Sequence, residues 1–359
     1  MNAAEYADRR RRFLGALESR KLDGALVTAV VNVRYLTGFT GSNALLLLTP
    51  RAAVLWTDPR YGIQAAEETS CRVRVARGAL TKGLRSALRN IKRLGFENSR
   101  LSYDLHGKIR DELPLGVSLE PMDSLLEDLR LLKSSGEIEA IRGSVETCSA
   151  AFDRAMKRAR AGMKELDLAA EIDYQMRRLG AEQPAFETIV ASGPRAALPH
   201  ARPTTGPIAR NRLLLIDMGA SRGGYASDMT RMACFGHPSP KGQRLYRAVR
   251  EAQTAAVRAV GAGVTAGSVD RAARSVLKRH GLDRAFVHST GHGLGLEIHE
   301  APRLGKGVRT RLEAGIVVTI EPGAYLEGEG GVRIEDTVLV TAQGCEVLTP
   351  TPKELLILE

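Results

Sequence analysis

The sequence predicts an α/β (α+β) protein of two domains, a smaller one over residues 1–130 and a larger one over residues 131–359 that contains two similar halves. Three observations support this prediction. Apolar segments of strand length alternate with amphipathic helical segments along the chain. A capping-box pattern, Ser134-x-x-Glu137, marks the start of a long helix just after residue 130. Two helical segments bounded by glycines then recur 101 residues apart.

Length and composition are those of a globular chain. Its 359 residues, with 43% hydrophobic and 26% charged, argue against disordered, collagen-like and coiled-coil proteins. No apolar run approaches the ~20 residues that span a bilayer. The charged N-terminus is not followed by the apolar segment of a signal peptide. The four cysteines are scattered without CxxC spacing, so we expect reduced thiols in a cytoplasmic protein without a membrane partner.

The net charge of +11 raises the question of nucleic-acid binding. The basic excess is spread over both predicted domains, and the only dense cluster is Arg9–Arg12. Aromatic residues make up 4% of the chain, which is little for a surface that stacks on bases. We therefore expect a solvated basic surface and no nucleic-acid partner.

The first domain is predicted to be a small α/β unit. A charged helix covers residues 5–20, and the apolar segments DGALVTAV, ALLLLTP and AAVLWTD have the length of strands. Further helices are expected at 79–93 and 104–112. The helix that begins at the capping box is expected to end near Gly162.

The larger domain carries a weak internal repeat. The segments that begin at Gly162 and Gly263 each run 18 residues to a further glycine, Gly180 or Gly281, and each leads into Ala-Phe and a short strand. Chance similarity between two amphipathic helices is the alternative, and the matching downstream residues favour a duplication. A duplication implies two similar α/β halves with a shared cleft.

The segment LLLIDMGASRGGYASDMTRM predicts a β-hairpin with two facing carboxylates. Asp217 and Asp228 lie symmetrically about residues 222–223, so a turn there places them directly opposite each other, with Cβ atoms ~4.5–5.5 Å apart. Two metal ions ~3.5–4 Å apart would suit that gap. Solvated hairpin aspartates are the alternative, and the four apolar residues before Asp217 favour burial.

Three of the seven histidines, His288, His292 and His299, fall within HSTGHGLGLEIHEAP. Glycines on both sides of His292 exclude a regular helix and allow close backbone approach. A lone histidine is more often structural than a ligand, whereas three in one glycine-rich segment favour a functional site.

Two further strands each contain a glutamate. Glu321 closes the apolar strand IVVTI, and Glu335 lies in GGVRIEDTVLV on the same face as Arg333. Arg333 is thus placed to pair with a carboxylate and orient it. Either glutamate alone is more simply an edge-strand residue. With two aspartates and a histidine, the glutamates form an oxygen-rich set that suits Mn²⁺ and similar divalent ions.

At these residues the sequence resembles the pita-bread metallopeptidases, the family of methionine aminopeptidase, aminopeptidase P, prolidase and creatinase. The resemblance implies a pita-bread fold for the larger domain and a creatinase-like α/β domain before it. It also implies two divalent metal ions per chain, with Mn²⁺ first and Co²⁺ or Zn²⁺ as alternatives. The implied ligands, in the family's chain order, are Asp217, Asp228, His292, Glu321 and Glu335.

The same resemblance implies roles for other residues of these motifs. FETIVASGPRAALPH resembles the strand and loop that end in the family's substrate-side histidine, here His200. The implied catalytic residues are His200, His288, His299 and Glu321, and the implied substrate-binding residues are His200, His299, Tyr325 and Arg333. Glu321 is expected to act as general base as well as ligand, and the histidines are expected to stabilise the intermediate or relay protons.

Within the family, RYLTGFTGSNALLLLTP and WTDPRYGIQAAEE resemble the first domain of short bacterial aminopeptidase P and, more loosely, of prolidases. The leading interpretation is therefore a Xaa-Pro aminopeptidase. It would act as a homodimer on peptides with proline at the second position, through a hydroxide that the metal pair activates.

Two alternatives stay open. The first is a Xaa-Pro dipeptidase, which in this family uses an arginine to hold the free carboxylate of the dipeptide. Arg309 and Arg311 lie in about the region where prolidases place it. The second is a remote one, a non-catalytic relative that binds peptides or nucleic acid without turnover.

Overall fold

The computed structural model describes all residues from Met1 to Glu359. The chain divides into two units, Met1–Leu129 and Arg130–Glu359. None of the helices is long and apolar enough to cross a membrane.

The first unit is built on a six-stranded sheet. Its strands are β1 (Gly24–Val27), β2 (Ala44–Thr49), β3 (Ala52–Thr57), β4 (Arg72–Val75), β5 (Arg93–Phe96) and β6 (Ser118–Pro121). They lie in the order β4-β3-β2-β1-β5-β6, with β2 antiparallel to both of its neighbours and the other pairs parallel. The helices up to the boundary are α1 (Ala3–Ser19), α2 (Val30–Thr37), α3 (Gly62–Glu68), α4 (Leu84–Ala87), α5 (Tyr103–Asp111) and α6 (Leu125–Leu131).

Strand β2 explains the leucine run of the sequence. Leu45 and Leu47 pack on one face of the sheet against a cluster that includes Leu26 and Trp56. Leu46, on the opposite face, is buried as well. A strand covered on both faces is apolar at every position, in contrast to the alternation of a half-exposed strand.

The prediction of a helix over residues 79–93 is wrong for most of that range. Only α4 is helical there, and β5 already begins at Arg93. Gly83 has a φ of 87°, a left-handed conformation that interrupts a helix. Leu84 and Leu88 nevertheless pack into the core, which accounts for the amphipathic pattern of the segment.

The second unit begins with the predicted capping box. The hydroxyl of Ser134 accepts a hydrogen bond from the backbone N–H of Glu137 at 3.2 Å, and the Glu137 carboxylate accepts one from the N–H of Ser134 at 3.0 Å. The helix that follows, α7 (Ser135–Met156), ends six residues before the predicted position at Gly162. Gly162 lies in a loop, where its N–H binds the carbonyl of Ile208.

Three further long helices and fourteen strands complete the second unit. The helices are α8 (Glu165–Arg178), α9 (Pro240–Arg258) and α10 (Ala266–Arg279), with 3₁₀ turns at Gly193–Ala197 and Asp283–Ala285. The strands of the first half are β7 (Gln183–Pro184), β8 (Ile189–Ser192), β9 (Leu213–Met218), β10 (Ala220–Arg222), β11 (Tyr225–Ala226) and β12 (Met229–Phe235). Those that follow are β13 (Gly291–Gly293), β14 (Glu300–Leu304), β15 (Val317–Ile320), β16 (Gly323–Leu326), β17 (Gly330–Arg333), β18 (Asp336–Thr341), β19 (Gly344–Val347) and β20 (Leu356–Leu358).

These strands form two main sheets, in the orders β20-β12-β9-β8 and β14-β13-β15-β18-β19. The smaller ribbons β11-β10-β7 and β16-β17 extend the hairpins of each half. The largest buried cluster packs apolar side chains of α9 and α10 against strands of both sheets. A second cluster packs α7 and α8 against the first of these sheets.

The two halves of this unit repeat one plan. Helices α7 and α8 precede the β9–β12 hairpin, and α9 and α10 precede the β15–β18 hairpin. The four glycines of the sequence repeat are all left-handed, with φ of 83° for Gly162 and Gly263, 96° for Gly180 and 69° for Gly281. The structure therefore confirms the duplicated α/β halves.

Candidate metal centre

Asp217 lies opposite Thr230 in the pairing of β9 with β12, so the predicted direct opposition of Asp217 and Asp228 is wrong. The observed register differs from the predicted one by two residues. Because side chains alternate with a period of two, this shift leaves both aspartates on one face of the hairpin. They are diagonal neighbours, and both line the same cavity.

The register shift arises in the turn. Arg222 pairs with Tyr225, which centres the turn on Gly223 and Gly224 instead of residues 222–223. The two glycines have φ of 60° and 81°, the left-handed conformation that a two-residue hairpin turn requires. Arginine adopts that conformation at a steric cost, so the turn settles on the glycine pair.

The cavity has a volume of about 630 Å³ and is lined by residues of both halves. Nine of the ten predicted site residues lie on its wall, namely His200, Asp217, Asp228, His288, His292, His299, Glu321, Arg333 and Glu335. The tenth, Tyr325, contacts two of these residues through its hydroxyl group.

Each of the two long hairpins contributes two carboxylates. In the first half, Asp217 is in β9 and Asp228 directly precedes β12. In the second half, Glu321 directly follows β15 and Glu335 directly precedes β18. The duplication therefore brings two carboxylates from each half to one cavity.

His292 completes a set of candidate ligand atoms. One ligand atom each of Asp228, His292 and Glu335 lies within 4.8 Å of the others. The His292 Nε2 atom is 3.6 Å from Asp228 Oδ2 and 3.6 Å from Glu321 Oε1. His292 Nδ1 donates a hydrogen bond to the Gly293 carbonyl at 3.0 Å, so the Nε2 lone pair faces the carboxylates.

A divalent cation fits this donor set. The Oδ1 atoms of Asp217 and Asp228 are buried and accept no hydrogen bond. A buried acceptor without a partner is costly, and a cation that accepts its lone pair removes that cost. Four carboxylates and one imidazole form an oxygen-rich set of the kind that binds Mn²⁺ and similar ions.

The acid–base properties of the carboxylates agree with this. Burial, reinforced by neighbouring carboxylates, raises the pKa of Asp228 and of Glu335 well above their usual values. Burial also raises the pKa of Glu321 to about 8. A carboxyl group with a raised pKa must lose its proton to solvent before it can bind a cation, so metal binding in this site is coupled to pH.

Arg333 connects one ligand to the wall of the cavity. Its Nη2 atom donates to Asp217 Oδ2 at 2.6 Å. Its Nη1 atom donates to the hydroxyl of Tyr325 at 2.8 Å and to the carbonyl of Pro199 at 3.1 Å. The guanidinium therefore orients Asp217 and anchors the residue that precedes His200.

Thr230 is a site residue that the sequence analysis missed. Its hydroxyl accepts a hydrogen bond from Arg333 Nε at 3.0 Å and donates one to Glu335 Oε2 at 2.7 Å. The hydroxyl thus orients a candidate ligand from the opposite half. The alternation of Asp228 and Thr230 along the chain is the signal that places both on the cavity face.

His288 is held as a neutral imidazole. Its Nδ1 atom donates to the Ser289 carbonyl at 2.8 Å, so its Nε2 atom accepts from the Tyr325 hydroxyl at 2.9 Å. Burial lowers the pKa of His288 to about 4. A hydrogen-bonded chain therefore runs from His288 through Tyr325 to Arg333.

His200 and His299 are exposed on the cavity wall. The ring of His299 lies edge-on to that of His292, with centroids 4.4 Å apart. Both histidines are therefore accessible to a molecule in the cavity.

Arg303 is the second site residue that the sequence analysis missed. It lies in β14 and lines the cavity, whereas neither Arg309 nor Arg311 does. Arg311 donates instead to the Gly263 carbonyl at 2.6 Å. The signal available in the sequence was the short distance from His299, since Arg303 lies only four residues after this predicted site residue.

Comparison with known proteins agrees with this architecture. The profile of Metallopeptidase family M24 matches residues 139–342, and that of the Creatinase/Prolidase N-terminal domain matches residues 9–132. The Xaa-Pro dipeptidase of Pyrococcus furiosus is 38% identical over 341 residues, which covers 95% of this chain and 97% of the relative.

Solved structures extend the similarity to three dimensions. A Xaa-Pro dipeptidase from Bacillus anthracis gives a TM-score of 0.95 at 36% identity, covering 98% of this chain and 100% of its own. An X-Pro aminopeptidase from Thermotoga maritima MSB8 gives 0.91 at 36% identity, with the same coverage of 98% and 100%.

Proposed function

The chain belongs to Metallopeptidase family M24, and from this premise we propose that it is a Xaa-Pro dipeptidase. The proposed reaction is hydrolysis of the bond between the first residue and the proline of a free dipeptide. This proposal takes the place of the aminopeptidase that the sequence analysis put first. The names of the relatives from Pyrococcus furiosus and Bacillus anthracis support it.

The observation that carries the proposal is Arg303. Arg303 lines the cavity, and its side chain makes no hydrogen bond or ion pair within the chain. A dipeptide ends in a carboxylate one residue past the scissile bond, and a guanidinium binds a carboxylate through two parallel hydrogen bonds. A longer peptide has a neutral amide at that place, so an unpaired arginine on this wall favours the dipeptide.

The residues that would hold two divalent cations, Mn²⁺ by preference, are Asp217, Asp228, His292, Glu321 and Glu335. When bound, the cations supply Lewis acidity and make hydroxide available near neutral pH. Arg333 and Thr230 hold the carboxylates of Asp217 and Glu335 in the orientation that the site requires.

The chain's own groups carry the proton and the developing charge. Glu321 takes up the proton of the attacking water on its carboxylate and passes it to the proline nitrogen as the C–N bond breaks. His200 and His299 donate hydrogen bonds to the carbonyl oxygen as it gains negative charge. His288 stays neutral and orients Tyr325.

Proline suits the leaving position of this cavity. Its nitrogen has no N–H in the peptide, so apolar surroundings leave no donor unpaired. Phe186, Ile189 and Ile298 supply apolar surface on the cavity wall. The proline ring therefore gains apolar contacts at a place where the N–H of an ordinary peptide bond would be left without a hydrogen-bond acceptor.

A Xaa-Pro aminopeptidase is the second candidate. The similarity to the Thermotoga maritima aminopeptidase favours it, since that structure matches the Bacillus anthracis dipeptidase in identity, 36%, and in coverage of this chain, 98%. For either function we propose a homodimer in the cytoplasm, on the basis of the family resemblance. Analytical ultracentrifugation of the full chain measures the oligomeric state.

Hydrolysis of Ala-Pro and Ala-Pro-Ala separates the two candidates. Chelator-stripped protein is assayed with Mn²⁺ added back, and kcat/KM is compared for the two peptides. A higher value for Ala-Pro supports the dipeptidase, and a higher value for Ala-Pro-Ala supports the aminopeptidase. Hydrolysis of neither, by protein that binds Mn²⁺, would contradict both and favour a non-catalytic binding protein.

A further inference from the structure

Arg231 is a buried arginine outside the cavity, with a side chain 2% exposed. It follows Thr230 in β12 and points to the opposite face of the strand. All of its guanidinium nitrogens donate hydrogen bonds. The acceptors are the carbonyl groups of Pro352 (2.9 Å), Thr230 (3.0 Å), Thr351 (2.6 Å) and Glu335, and the carboxylate oxygen Oδ1 of Asp336 (2.8 Å).

Asp336 is the charged partner of Arg231 and is completely buried. Its second carboxylate oxygen accepts hydrogen bonds from Gln253 Nε2 at 2.7 Å and Lys353 Nζ at 2.9 Å. Desolvation offsets much of the attraction in a buried ion pair, and an apolar pair of similar volume is often as stable. Stability alone therefore does not account for a charged pair at this place.

Two of the four bonds that Arg231 makes to main-chain carbonyls, those to Thr230 and Glu335, link the halves of the domain. Thr230 belongs to the hairpin of the first half, and Glu335 belongs to that of the second half. The same two residues are joined by a hydrogen bond from the Glu335 N–H to the Thr230 carbonyl at 3.2 Å. The Thr230 hydroxyl also binds the Glu335 carboxylate.

We propose that Arg231 is a positioning residue for the metal centre: by holding the carbonyl groups of Thr230 and Glu335 together, it sets where the Glu335 carboxylate meets Asp228 and His292. The inference rests on the proposed function, because Glu335 is a ligand only if the cavity holds metal. The Asp336 carboxylate holds the guanidinium in place through its bond to Nη2. Through the main chain of Glu335, Arg231 thus sets the position of a carboxylate that it does not itself contact.

The test compares Arg231→Met with Lys353→Met. Lys353 is the matched control because its ammonium group pairs with the same Asp336 carboxylate but makes no bond to Thr230 or Glu335. Chelator-stripped protein is titrated with Co²⁺, and affinity and stoichiometry are read from calorimetry and from the visible absorption of the bound ion. We expect Arg231→Met to bind Co²⁺ about 10–100-fold more weakly and with an altered spectrum, as for other residues that orient ligands. Lys353→Met should titrate like the wild type.

Wild-type affinity and spectrum in Arg231→Met would overturn the positioning role. An equal loss in Lys353→Met would also overturn it, because the loss would then report the packing of Asp336. If Arg231→Met does not fold, Arg231→Lys takes its place, since one ammonium cannot reach both carbonyl groups and Asp336. Wild-type protein that binds no Co²⁺ would instead contradict the proposed function. Failure of the proposed function is therefore distinguishable from failure of the positioning role.

Discussion

The Nε2 atom of His292 lies 3.6 Å from Oδ2 of Asp228, and the two residues come from opposite halves of the duplicated domain. Asp228 precedes β12 of the first half, and His292 lies in β13 of the second half. A candidate centre divided in this way exists only when the two halves pack together. Metal binding is therefore expected to depend on the register within each half and on the contact between them.

Asp228→Asn should abolish turnover and leave the fold intact. The substitution keeps the shape of the side chain but removes a buried charge that a bound cation needs. Peptidase activity and thermal unfolding with and without Mn²⁺ check this. We expect the rise in melting temperature on adding Mn²⁺ to disappear, whereas Asp153→Asn on the exposed face of α7 should keep it. Full activity in Asp228→Asn would contradict the assignment of the site.

The stability of the metal-free protein should decrease as pH rises, because of Glu321. Burial raises the pKa of this carboxyl group from 4.5 to about 8. Below pH 4.5 the group is protonated in both the folded and the unfolded chain. Above that pH the unfolded chain loses the proton first, so folding is disfavoured progressively until about pH 8.

Glu321→Gln removes the contribution of Glu321 to this pH dependence. Chelator-treated wild type should lose stability relative to the variant between pH 5 and 8, by at most about 1.4 kcal/mol per pH unit. Urea unfolding at several pH values measures it, with the exposed Glu313→Gln as control. Parallel profiles for wild type and Glu321→Gln would show that the group is not buried as described.

Thr230→Val should weaken metal binding without changing the shape of the core. The valine removes the hydroxyl between Arg333 Nε and Glu335 Oε2, so the carboxylate loses its orientation. We expect a loss of about 10–100-fold in Mn²⁺ affinity and recovery in Thr230→Ser. Calorimetric titration measures it. Thr254→Val, whose hydroxyl binds only a helix carbonyl, should have no effect, and equal affinities for all three variants would exclude the role of Thr230.

The sequence predicted the elements whose local pattern matches their structure. The capping box at Ser134 formed as expected, because its two hydrogen bonds join residues only three apart. The helix over 79–93 failed because its leucine spacing reflects packing into the core, while Gly83 interrupts the backbone. Amphipathic spacing alone does not separate these cases.

Six of the ten predicted site residues lie in the β9–β12 and β15–β18 hairpins, and the other four are histidines outside them. The structure brings all ten together. The register of Asp217 was misplaced by two residues because the sequence did not show which pair forms the turn. Arg303 and Thr230 were missed for a different reason. Their importance comes from what faces them across the cavity or across the two halves, and this is a tertiary relationship.

The most direct test of the account is the effect of Arg303 on substrates that differ only in the terminal carboxylate. The values of kcat/KM are measured for Ala-Pro and for its amide, in wild type, Arg303→Met and Arg309→Met. Arg309 is exposed and does not line the cavity, so its variant serves as the matched control.

We expect the wild type to prefer the free dipeptide over the amide, and Arg303→Met to reduce that preference about tenfold or more, as for the loss of a hydrogen bond to a charged group. Arg309→Met should retain the wild-type ratio. A preference that is unchanged in Arg303→Met, or a wild type that cleaves the amide as well as the acid, would contradict the proposal that this cavity selects Xaa-Pro dipeptides.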